Sequence, residues 1–136
     1  MINLTEAIMY TDGGARNNPG MAGIGIVIED KDGNTIKEIS QYIGEQTNNV
    51  AEYKAFSRGL EAALDLGIKK ITCYLDSQLI VKQVKGEYKV KNERIIPMHN
   101  MIMPLIKKFD SFEIVHVKRE LNKRADKLVN EAIDNQ

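Results

Sequence analysis

Residues 6–29, EAIMYTDGGARNNPGMAGIGIVIE, set two apolar runs on either side of a stretch rich in Gly, Asn and Pro. Short runs of this kind, bounded by turn residues, read as strands, here 6–11 and 23–29. A hairpin needs only about two to five linking residues, whereas the eight from Gly13 to Gly20 exceed that. The surplus follows directly on Asp12, a carboxylate at the end of the first strand.

Working outward, the turn DKDGN leads to a third strand near 35–43. From Asn49 the period changes: Phe56, Leu60, Ala63 and Leu64 recur at helical spacing, and Gly67 ends the helix. KKITCYLD gives a fourth strand, Ser77 to Val84 a short helix, and Asn92 to Phe109 a longer helical segment interrupted by Pro97 and Pro104. SFEIVHV is a fifth strand. The last element, Asn122 to Asp134, is an amphipathic helix with Ala125, Leu128, Val129, Ala132 and Ile133 inward. Three successive strands followed by alternating helix and strand predict a mixed α/β sheet: an antiparallel meander, then parallel additions through right-handed crossovers, with helices on at least one face.

The chain has 136 residues, 43% hydrophobic and 28% charged, which suits one globular domain spanning 1–136. Nineteen basic and nineteen acidic side chains cancel, so any nucleic-acid binding rests on local patches. The lone cysteine, Cys73, excludes an intramolecular disulfide and a multi-cysteine zinc site. The longest apolar run, Met21 to Ile28, is far shorter than the roughly 20 residues of a membrane span. MINLTEA lacks the basic and apolar regions of a signal peptide, and the expectation is a cytoplasmic protein.

Four acids stand out. Asp12 and Asp76 each end a strand, and if the first and fourth strands are parallel neighbours the two meet at one sheet edge. Glu52 shares the inward stripe of its helix with Phe56 and Leu60, and Asp126 occupies the first turn of the last helix. Each also has an ordinary structural reading. The strand-end aspartates suit turns, Glu52 suits a capping box with Asn49, and Asp126 suits the helix dipole. As a set they point to a cation, because gathered carboxylates repel one another unless one is bound. All-oxygen ligands suit Mg2+ or Mn2+. Two such ions about 4 Å apart activate a water and stabilise the leaving oxygen of a phosphodiester. The glycines form neither a dinucleotide fingerprint nor a nucleotide-triphosphate loop, and no nucleophilic triad is apparent.

YTDGGARNNPGMAGIG, TNNVAEYKA, CYLDSQLIVKQV and NKRADKLVNEA together resemble, in order, the motifs of the type 1 ribonuclease H family. The resemblance implies a five-stranded sheet in the order 3-2-1-4-5 flanked by helices. It implies divalent-metal cleavage of RNA in RNA–DNA hybrids, leaving 5′-phosphate and 3′-hydroxyl ends; apart from the resemblance, no obligate protein partner is evident and a monomer is the expectation. It assigns metal binding to Asp12, Glu52, Asp76 and Asp126. Asn17, Asn18 and Asn48, with backbone from Gly13, Gly14 and Ala15, would read 2′-hydroxyls. Thr47 and Asn92 would hold a DNA-strand phosphate. Turn chemistry is the competing account of Asn17 and Asn18.

The chain departs from larger bacterial members in two places. It has no Trp, and the family's basic protrusion is replaced by the compact VKQVKGEYKVKNERIIP. Residues 82–94 there carry five basic against two acidic side chains, and Lys85 and Lys89 are the candidate phosphate contacts. The loop before the last helix, VKRELNKRAD, lacks the family's histidine, and Arg119 is its candidate substitute. His116 and His99 read as structural. The preferred reading is an active endoribonuclease; the alternatives are a catalytically silent hybrid-binding paralogue and another nuclease on the same fold.

Overall fold

A computed structural model of the chain describes residues 5–136; Met1 to Leu4, the start of the MINLTEA stretch, lie outside it. The strands are β1 (Glu6–Arg16), β2 (Gly20–Asp30), β3 (Thr35–Gln46), β4 (Lys70–Leu75) and β5 (Ser111–His116). The helices are α1 (Asn48–Asp65), α2 (Gln78–Val84), α3 (Ile96–Ile106) and α4 (Lys123–Asp134). They form one sheet in the order β3-β2-β1-β4-β5. β1, β2 and β3 pair antiparallel, while β4 joins β1, and β5 joins β4, in parallel. This is the expected meander with two crossovers.

The supposed long loop after Asp12 is mostly strand. Gly13, Gly14, Ala15 and Arg16 pair with Ile24, Gly23, Ala22 and Met21, leaving Asn17 to Pro19 as the link. Gly and Ala in this stretch signal close packing of helices against the sheet, and packing overrides their low strand propensity. Asn17 takes a φ of 71°, the left-handed region that asparagine tolerates, so turn chemistry does account for its identity.

α1 packs on β1 and β2 from one side, and α4 covers β2 and β3 from the other. β2 is therefore buried on both faces from Ala22 to Ile28, which explains its continuous rather than alternating apolar run. Met9, Ile26, Phe56, Leu60, Cys73, Ile80 and Ile102 are fully buried in the core.

The cap of α1 differs from the expectation. Thr47, not Asn49, is the N-cap, its hydroxyl accepting from the Val50 N–H at 3.2 Å. A capping box would place its acid at Val50, so Glu52 lies too far into the helix for that role. The helical segment expected from Asn92 begins as α3 at Ile96. Asn92 Oδ1 accepts from the Arg94 N–H at 2.8 Å and forms a turn ahead of it. Among the described residues no helix is long and apolar enough to cross a membrane.

Candidate active site

Parallel pairing of β1 with β4 sets Tyr10 beside Tyr74 and Thr11 beside Leu75. The two tyrosine rings stack with centroids 5.3 Å apart. The residues that follow, Asp12 and Asp76, therefore emerge at the same edge.

Two glycines bring the other acids there. A Cβ on Gly13 would collide with the Ala51 carbonyl and the Glu52 N–H, so α1 lies directly on the strand and Glu52 stands beside Asp12. On the opposite face a Cβ on Gly25 would collide with the Ala125 carbonyl, and α4 is seated equally close beside Asp126. Asp12, Glu52, Asp76 and Asp126 line one cleft of 490 Å³. Carboxylate oxygens of Asp12, Glu52 and Asp76 lie within 4.8 Å of one another. Asp126, outside that trio, lies close enough to Asp12 for its charge to raise the Asp12 carboxyl.

The electrostatics match this crowding. Burial pushes the Asp12 carboxyl up to about 8, helped by Asp76, Asp126 and Glu52. Glu52 rises to about 7, mainly through burial, against the lowering effect of a hydrogen bond with Ser77 and the charge of Arg119. Asp76 is raised by burial and held back by Arg119 and by Asn122. Such a set of hard oxygen donors, each disfavouring ionisation of the next, fits a divalent cation.

Arg119 lies in a 3-10 turn, Arg119–Leu121, that follows β5, and it lines the cleft. Ala15, Asn18 and Asn48 are braced together: the Ala15 N–H donates to Asn48 Oδ1 at 2.8 Å, and the Asn48 N–H to Asn18 Oδ1 at 3.0 Å. Thr47 and Asn92 meet in a separate hollow that Arg94 also lines. Lys85 and Lys89 are exposed and do not line the cleft. His116 is exposed at the end of β5, so it is no core residue. His99 is half-buried, with Nε2 3.4 Å from the Gln83 carbonyl oxygen.

Three residues escaped the sequence reading. Ser77 caps α2, its hydroxyl accepting from the Ile80 N–H at 3.3 Å, and it lowers the Glu52 carboxyl against the push of burial. Arg16 lines the cleft and pairs with Asp134 at 2.6 Å. Asn122 carries a buried carboxamide behind the acids. Only the position of Asn122 four residues before Asp126 hinted at it.

Residues 10–132 match the family described as reverse transcriptase-like. The chain is 42% identical to Ribonuclease HI of Halobacterium salinarum over 92% of its own length and 63% of that protein. It is 38% identical to the bifunctional protein Rv2228c of Mycobacterium tuberculosis over 95% of its own length and 36% of that protein. It thus spans less than two thirds of either relative. Among solved structures, LC11-RNase H1, isolated from compost by a metagenomic approach, superposes with a TM-score of 0.91 at 49% identity, covering 97% of this chain and 98% of that one. A crystal structure of LC11-RNase H1 in complex with an RNA/DNA hybrid superposes with a TM-score of 0.90 at 48% identity, covering 95% and 97%. Likeness at this identity over nearly the whole of both chains, on the same fold, means that the chain belongs to the type 1 ribonuclease H family.

Proposed function

We propose that the chain is an endoribonuclease that hydrolyses the RNA strand of RNA–DNA hybrids. The observation that carries this is the cluster of Asp12, Glu52 and Asp76, with Asp126 beside it. A module that only binds polyanions gains nothing from repelling carboxylates at its cleft. These four residues would hold Mg2+ or Mn2+, which in a pair supplies positive charge to the attacking and leaving oxygens of an in-line displacement. A water oxygen bonds to phosphorus and the P–O3′ bond breaks. The products are a 5′-phosphate and a 3′-hydroxyl.

The rest of the work falls to side chains around the acids. Arg119 can pair with phosphate oxygens while remaining charged at any working pH. In the brace, the oxygens of Asn18 and Asn48 are committed to backbone N–H groups. Their Nδ2 groups are the parts left to donate to a 2′-hydroxyl in the shallow minor groove. The hollow of Thr47, Asn92 and Arg94 suits a DNA-strand phosphate. The protein acts as a monomer, and its single buried thiol, Cys73, is compatible with the reducing cytoplasm.

The test is incubation with labelled RNA–DNA, RNA–RNA and DNA–DNA duplexes, with and without Mg2+. Cleavage confined to the RNA of the hybrid and dependent on metal is expected. Binding of the hybrid without cleavage at any Mg2+ or Mn2+ concentration would instead make the chain a silent paralogue.

A further inference from the structure

Asn122 immediately precedes α4, where an asparagine side chain ordinarily accepts a hydrogen bond from the first free N–H groups of the helix. Here it makes no such cap. The side chain is 1% exposed and turns inward, Nδ2 donating at 2.9 Å to the carbonyl of Thr11, the residue before Asp12. The backbone carbonyl of Asn122 accepts from the Asp126 N–H at 3.1 Å. The side chain thus braces the residue before Asp12 while the backbone opens the helix that carries Asp126, joining two acids that arrive on separate elements.

The arrangement is unfavourable for stability alone. A preferred cap is forgone, and Oδ1 is buried without a partner among the described residues. Buried polar groups left in such a state are rare and call for a reason. Site geometry supplies one, since carboxylates that hold a cation need fixed orientation, and the groups behind them provide it.

We infer that Asn122 is a positioning residue that ties Asp12 and Asp126 into one cation-binding geometry, an inference that rests on the divalent-metal reading above. Aspartate is a poor replacement, because an oxygen would face the Thr11 carbonyl and a further negative charge would join the cluster. Serine separates the two roles. It is a good N-cap, so it keeps α4 started, but it is too short to reach Thr11.

Calorimetric titration of the full chain with Mn2+, without nucleic acid, tests this on the wild type and on Asn122→Ser. The serine variant should melt at or near the wild-type temperature yet bind Mn2+ about 10- to 100-fold more weakly. Its kcat at fixed, limiting Mg2+ should fall while the KM for hybrid stays close to wild type. Unchanged Mn2+ affinity in a folded Asn122→Ser protein overturns the inference and leaves the metal reading intact. Absence of Mn2+ binding by the wild type defeats the metal reading itself.

NMR of the wild type decides the matter if the variant does not fold. The Asn122 side-chain amide protons should shift during Mg2+ titration with the same apparent affinity as the calorimetric event. Signals unmoved at saturating Mg2+ overturn the inference.

Discussion

The acidic cleft and the basic segment between α2 and α3 are built in opposite ways. Asp12 lies within β1, Asp76 directly follows β4, and Glu52 and Asp126 sit on helices seated by glycine contacts; Asp12, Glu52 and Asp76 are all partly buried. The residues from Lys85 to Lys89 are exposed and belong to neither helix nor strand. Backbone bonds from Glu87 and Tyr88 to the Lys82 carbonyl hold the turn, and the Lys82 Nζ lies 3.2 Å from the Tyr88 hydroxyl and 4.8 Å from the centre of that ring, but the Lys85 and Lys89 side chains have no partner among these contacts. Charges interact strongly where water is excluded and weakly where it is not. Substitutions in the cleft should therefore have large effects, and those in the basic segment small ones.

Asp12→Asn should have the largest. Loss of the most crowded carboxylate is expected to lower hybrid cleavage by at least about 1,000-fold, about 4 kcal/mol of barrier. Stability should move the other way in chelator. The Asp12 pKa is raised from 3.8 to about 8 in the folded protein, so between those values the native state holds a proton that the unfolded chain has lost. Native stability falls as pH rises through that window. Glu52 adds to the fall between 4.5 and about 7. The asparagine variant lacks the Asp12 contribution, and at pH 8 without metal it should exceed wild type by at least about 1.4 kcal/mol, the equivalent of one pK unit. Denaturant titrations from pH 4 to pH 8 measure this; a wild-type profile no steeper than that of the variant would show that the cluster is not under strain.

Gly13→Ala tests the contact that brings α1 to the strand. The new methyl has backbone in its way, and overpacking of this kind costs about 1–3 kcal/mol. Displacing Glu52 by even about 1 Å should cost up to about 100-fold in rate. Gly14→Ala is the control for stability, because a Cβ there meets only Val129 Cγ1 at 3.8 Å, an ordinary contact. Thermal melts of the two variants should separate clearly. Equal stability would mean that α1 yields freely, and that the close approach does not position Glu52.

Arg119→Ala comes next, with a drop in kcat of about 10- to 100-fold, or about 1.4–2.7 kcal/mol of barrier. His116→Ala is its control. An exposed imidazole at the end of β5 should cost little in either rate or stability, less than the structural role expected of it from sequence. Steady-state kinetics of both variants decides which residue serves the cleft.

How legible the molecule was follows the same division between periodic and non-local features. Asp12, Glu52, Asp76 and Asp126 could be placed because alternation along strands and 3.6-residue periodicity fix where side chains point. The far half of β1 could not, since glycine and asparagine favour turns locally and only the helices packed on Gly13 and Gly25 explain them as strand. Thr47, Asn48 and Asn49 all suit an N-cap, and nothing nearby ranks them. In the fold Asn18, 30 positions away, takes the Asn48 N–H and Thr47 caps the helix. Asn122 stayed hidden for a related reason: its local preference is to cap α4, while its actual partner is 111 positions distant.

The smallest effects belong to Lys85→Ala and Lys89→Ala. Both side chains are solvated, so neither removal should alter folding, and rate at low salt should change little. Their signature lies in salt dependence, because each lysine that neutralises a phosphate releases about 0.9 counterion on binding B-form DNA, and a similar amount is expected for a hybrid. Binding of hybrid by the Asp12→Asn protein, which keeps substrate intact, is the clean measurement. Each lysine substitution should reduce the slope of log affinity against log salt by about 0.9 without changing sequence preference. A slope untouched by either substitution would mean that the basic segment is a solvated surface and that the hollow of Thr47, Asn92 and Arg94 carries the DNA-strand contact without it. That result would sharpen the contrast between the two regions, leaving the substrate held wholly by groups whose positions are fixed by the fold.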